Sequence, residues 1–171
     1  MIDEQLRQVG WEADTQNLRY SKGTRPQKGH NLAIAEWPTE STVGKKGYAD
    51  YALFVDGKMV AIIEAKAEHK DIPSVIVFQG KDCPKNVRKE DERYLIGEWN
   101  GYKVPFTFAT NGRPYLEQFK TKSGIWCLDL RDNSNIPYAL HGWMSPMGIM
   151  DYWKKIFNLG IRLWRHCLMI Y

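Results

Sequence analysis

Residues 48 to 66 constrain the fold more than any other part of the chain. Tyr48-Ala-Asp-Tyr-Ala-Leu-Phe-Val55 reads as a strand, Asp56-Gly57 as a tight turn, and Met59-Val-Ala-Ile-Ile-Glu-Ala-Lys66 as a second strand. Both strands are apolar on both faces, which is the pattern of central strands covered by helices on each side. Yet Asp50 stands inside the first strand, and Glu64 and Lys66 inside the second. Charged groups rarely occupy such strands without partners, because burial strips them of water.

Two carboxylates about 4 Å apart repel by roughly 4 kcal/mol at an effective dielectric near 20. Lys66 offsets part of that, and a divalent cation removes it. Two carboxylate ligands suit a hard ion such as Mg²⁺ or Mn²⁺, with the carbonyl of Ala65 a candidate further oxygen. Such an ion can bind a phosphodiester oxygen and acidify a water. Lys66 is then placed to orient that water or to stabilise charge on the phosphate.

Register decides whether the three groups meet. Side chains alternate along a strand, and opposed residues point the same way. A two-residue Asp56-Gly57 turn, continued in regular pairing, sets Asp50 opposite Ile63 and sends Glu64 to the other face. A three-residue loop, Val55-Asp56-Gly57, or a β-bulge between Asp50 and Glu64 puts Asp50, Glu64 and Lys66 on one face. One of those two devices is therefore expected.

The remaining segments supply a mixed α/β frame. Residues 3–9 read as a short helix, with Asp3 as its cap and Leu6 and Val9 on one face. Leu32–Trp37 is an apolar island, a strand or a short helix, in a polar stretch rich in Gly, Pro and Lys. Ser74–Lys85 reads as helical, with Val75, Phe78 and Gln79 inward. Val104–Thr110 and Gly124–Leu130 read as third and fourth strands. From Asp151 to Tyr171, Trp153, Ile156, Phe157, Leu163, Trp164 and Leu168 recur at helical spacing. The expected fold is a mixed central sheet flanked by helices.

Composition removes other classes. The 171 residues are 43% hydrophobic and 26% charged, which excludes a disordered, collagenous or coiled-coil chain. A net charge of +4 is compatible with a basic face around an acidic pocket and proves no nucleic-acid partner. Cys83, Cys127 and Cys167 have no metal-like spacing and read as reduced thiols. The acidic, polar start argues against a signal peptide, and no run reaches the ~18 apolar residues of a membrane span. A cytoplasmic protein with no membrane partner is expected.

Asp50 followed by Glu64-Ala65-Lys66 resembles the PD-(D/E)xK nuclease signature. Together with Tyr48–Lys58, Ala61–Lys66, Phe108–Arg113 and Gly124–Leu130, it is similar to the N-terminal nuclease domain of type I restriction enzyme R subunits, over roughly residues 1–135. The resemblance implies a restriction-endonuclease-like fold and Mg²⁺-dependent cleavage of double-stranded DNA. It makes Asp50 and Glu64 metal ligands and Lys66 the catalytic lysine. The family's Gln-x-x-x-Tyr motif is met by Gln79, a candidate catalytic or DNA contact, but Cys83 stands in the Tyr position. The resemblance also implies methylation and specificity subunits as partners. ATP would serve a motor region lying elsewhere, since this chain holds no Gly-x-x-x-x-Gly-Lys-[Ser/Thr] loop. The expected division is a nuclease domain over 1–137 and a helical extension over 138–171. A free-standing nuclease of the same superfamily, and a catalytically silent DNA-binding or assembly domain, are the alternatives.

Other residues carry competing readings. Glu36 is a solvated acid or a further metal ligand. His30, His69 and His141 have no paired ligands at metal spacing and read as surface or core histidines, and His166 reads as a solvent-facing residue of the last helix. Lys22, Arg25, Lys28, Lys45 and Lys46 form a mobile solvated loop or touch the DNA backbone, each neutralised phosphate adding about −0.9 to the log–log salt slope. Asn111 and Arg113 follow a strand end and mark a turn or a DNA contact.

Overall fold

The computed structural model describes residues 2–40, 47–78 and 80–155. Gln79, Lys45, Lys46 and the expected helical stripe from Ile156 to Leu168 lie outside them. The elements run α1 (Ile2–Gln8), β1 (Glu12–Ala13), β2 (Asn31–Thr39), β3 (Gly47–Val55), β4 (Lys58–Ala65), α2 (Ile72–Phe78), α3 (Asp82–Lys85), β5 (Phe106–Thr110), β6 (Ile125–Asp129) and β7 (Tyr138–Ala139). Among the described residues the strands form one seven-stranded sheet in chain order. Two adjacent pairs are parallel, β1 with β2 and β4 with β5, and the others are antiparallel. The mixed sheet flanked by helices is therefore present.

The parallel β4–β5 pair needs a long crossover, and α2 and α3 lie within it. Both faces of β3 and β4 are covered, which explains their apolar runs. One face packs Leu6, Trp11, Leu53, Ile63, Phe108, Trp143 and Ile149. The opposite face packs Trp37, Phe54, Met59 and Ile62 near β2, and Ile72, Ile76, Trp126 and Leu128 under α2. Trp37 rings meet Phe54 at 4.8 Å and Tyr20 at 5.1 Å. That packing resolves the apolar island at 32–37 as a buried strand.

The expected single helix over 74–85 is two short helices. Ile72 and Ile76 are its buried positions, with Val75 only half-buried. The break falls next to Gly80, where a Cβ would meet the Ile76 backbone at 3.1 Å. Asp3 does not cap α1; it lies within the helix, and its carboxylate accepts from the Thr15 amide and hydroxyl and from the Tyr51 hydroxyl. Residues 138–155 join the same frame. β7 pairs with β6, and Trp143 and Ile149 are buried in the first core. Helical residues at 146–155 follow.

Candidate active site

The hairpin reaches the required register by combining the two-residue turn with a β-bulge. The loop has two residues, Asp56 and Gly57, both with positive φ (49° and 79°), and Val55 pairs with Lys58. The register then shifts. Phe54 pairs with Met59 while Leu53 pairs with Ala61, so Val60 is the extra residue of a β-bulge. The three-residue loop is absent; the bulge does its work. Beyond it, Ala52 pairs with Ile62 and Tyr51 with Ile63, which brings Asp50 alongside Glu64.

At that point the backbone ladder gives way to a side chain. Asp50 Oδ2 accepts the Ala65 amide at 2.6 Å. Lys66 Nζ lies 3.3 Å from Glu64 Oε2 and donates to it. The Cys83 thiol, carried by α3, donates to Glu64 Oε1 at 3.1 Å. Glu64 is 8% exposed, whereas Asp50 is open to solvent. Burial pushes the Glu64 carboxyl above its usual range, the Asp50 charge pushes it further, and Cys83 and Lys66 pull it back. Burial, with the Glu64 charge beside it, also pushes the Cys83 thiol up, so it stays protonated and can donate.

The loop after Lys66 is held from β5. The Lys66 amide donates to the Thr110 carbonyl at 2.8 Å. Asn111, 6% exposed, donates its side-chain amide to the carbonyls of Glu68 and Lys70 at 3.3 and 2.9 Å. Its side-chain oxygen accepts the Arg113 amide. Asn111 is thus a clamp on the chain carrying Lys66, which its place at a strand end did not reveal.

Glu36 stands between the pairs Ala35–Tyr51 and Trp37–Ala49, alongside Asp50. Its φ is +52°, and its carboxylate is engaged with Arg19. It is half exposed and has a cation already, so it does not join Asp50 and Glu64. Arg25 covers the Tyr20 ring at 3.6 Å and donates to the carbonyls of Tyr20 and Thr24. His30 bonds Glu12, and His141 stacks on Tyr115. Among the described residues no three of His, Cys, Asp and Glu form a group that could hold a metal ion. No helix of the described residues is long and apolar enough to cross a membrane.

The family model of the type I restriction enzyme EcoKI endonuclease subunit second domain matches residues 12–153. The type I restriction enzyme EcoKI endonuclease subunit of Escherichia coli strain K12 is 39% identical over 175 residues, 88% of this chain. The chain spans 15% of that relative's length. The structure of a fragment described as an HsdR subunit of a type I restriction enzyme from Vibrio vulnificus YJ016 aligns with 88% of this chain and 23% of its own, at 17% identity and a TM-score of 0.44. With most of its length matched, this chain belongs to the family of the type I restriction enzyme EcoKI endonuclease subunit second domain.

Proposed function

We propose that this chain is the divalent-metal-dependent endonuclease domain of a type I restriction-modification R subunit, cleaving DNA phosphodiester bonds. The observation that carries the reading is the meeting of Asp50, Glu64 and Lys66 at the end of the bulged hairpin. Family membership supports it independently.

The donor set fits a hard divalent ion. Both acids offer carboxylate oxygens, and Asp50 spends only Oδ2 on the Ala65 amide among the described residues. Burial and the neighbouring Asp50 raise the Glu64 carboxyl even with Lys66 beside it, so a further positive charge there would be favourable. Mg²⁺ keeps several waters and needs only one or two protein carboxylates, so a pair suffices. Asp50 and Glu64 would hold the ion, with the Ala65 carbonyl as a third oxygen. When bound, the ion would neutralise phosphate charge and lower the pKa of a water.

The chain's own groups do the rest. The Lys66 side chain is 27% exposed beside Glu64, where its amine can meet a phosphate oxygen. Asn111 and Thr110 fix the backbone that carries it. The bulge fixes which face both acids use. Double-stranded DNA is the proposed substrate. Methylation and specificity subunits are the proposed partners, with ATP acting only in a motor outside this chain.

Nicking of supercoiled plasmid tests the reading. The parent should nick with Mg²⁺ and not with EDTA. Lys66→Ala should be slower by about 10²–10³-fold, the usual effect of removing one charge-stabilising group. Equal nicking by parent and variant removes Lys66 from the mechanism. Absence of nicking by the parent, alone and with partner subunits, favours a silent assembly module.

A further inference from the structure

Cys83 lies in neither acidic strand, yet its sulfur is 3.1 Å from Glu64 Oε1. Several contacts aim it there. α3 ends with the Asn86 amide on the carbonyls of Asp82 and Cys83, and the Pro84 carbonyl accepts the Lys103 amide at 2.9 Å. Pro84 is itself buried. The sulfur also lies 3.9 Å from the Tyr48 carbonyl of β3. Cys83 and Glu64 therefore join α3 to β4 through a side-chain hydrogen bond. Lys66 takes the other oxygen, Oε2, so the Glu64 carboxylate is gripped at both ends.

We propose that Cys83 is a positioning residue for the Glu64 carboxylate, holding it in the orientation in which it binds the divalent cation. The inference rests on the metal-dependent reading above and deepens it. A thiol is a weak donor, but here it meets a charged acceptor in a site mostly closed to water, where hydrogen bonds strengthen. Each carboxylate oxygen has two lone-pair directions, so an Oε1 held by the thiol still has one to offer a cation. Partners of this kind around metal ligands typically contribute 10–100-fold in metal affinity.

Isothermal titration of the purified chain with Mn²⁺, without DNA, tests this apart from activity. Cys83→Ala should weaken Mn²⁺ binding about 10-fold or more, at an unchanged unfolding temperature of the metal-free protein within about 2 °C. Cys83→Ser keeps a donor of similar size and should restore binding to within about 3-fold of the parent. Binding by Cys83→Ala equal to the parent's overturns the proposal. Loss in Cys83→Ser as large as in Cys83→Ala also overturns it, because shape rather than the donated hydrogen would then be responsible. A parent that binds no Mn²⁺ sinks the metal-dependent reading itself and this inference with it.

Discussion

Glu64→Gln should abolish metal-dependent nicking while making the metal-free protein more stable at neutral pH. The two effects have one cause. Glu64 is buried beside Asp50, and its carboxyl in the folded chain sits above the ordinary value of 4.5. The folded state therefore holds this proton more tightly than the unfolded chain does. The stabilisation from the protonated form is complete below about pH 4.5 and is lost as pH rises through the folded value. At neutral pH the fold carries an acid whose ionisation its burial opposes, and glutamine offers a neutral side chain of nearly the same size. Each kcal/mol regained should raise the unfolding temperature by about 2–4 °C for a domain of this size. The gain should vanish as pH falls toward 4.5. Thermal melts of parent and variant at pH 4.5 and 7.5, without metal, read it directly. A variant less stable than the parent at pH 7.5 would show that Lys66 and Cys83 more than offset the burial of the charge. Nicking should drop by at least about 10³-fold on the proposed mechanism, in which Glu64 holds the metal and its charge faces Lys66.

Arg131→Ala should cost about 3–5 kcal/mol of folding stability, by leaving a buried charge uncompensated. Asp129, at the end of β6, is 2% exposed, and the Arg131 side chain is 7% exposed. The guanidinium forks onto the carboxylate, Nε to Oδ1 at 2.9 Å and Nη2 to Oδ2 at 2.7 Å. Nη1 reaches the Trp153 carbonyl at 2.8 Å, and the plane lies 4.7 Å from the centre of the Phe106 ring. One side chain thus joins β5, β6 and the helical residues at 146–155. Arg131→Lys keeps the charge but not the fork and should recover only part of the loss. Urea unfolding with a shared slope gives the difference. A loss under about 1 kcal/mol would mean the pair behaves as a surface ion pair.

Much of the candidate site could be read from residue order, because chemistry and periodicity agreed there. Asp50, Glu64 and Lys66 stood out as charges in apolar strands, and parity reduced their geometry to two alternatives. The choice between them was hidden for a physical reason. The bulge at Val60 lies inside an unbroken apolar run, with no glycine or polar residue to mark it. The two-residue turn was visible in Asp56-Gly57, but read alone it pointed to the wrong face. Cys83 gave no signal as a partner of Glu64, since it lies nineteen positions further along the chain with all of α2 between them. Asn111 read as a turn residue or a DNA contact, and neither reading showed that its amide holds the loop after Lys66. β1 and β7, two residues each, are too short for any periodicity to show.

The most direct test of the account is where a divalent cation sits. Crystals of the parent soaked in Mn²⁺, measured for anomalous scattering, should show a peak between the Asp50 and Glu64 carboxylates and none in Glu64→Gln crystals soaked alike. A parent map with no peak at these two acids, or with its Mn²⁺ bound only elsewhere, would contradict it.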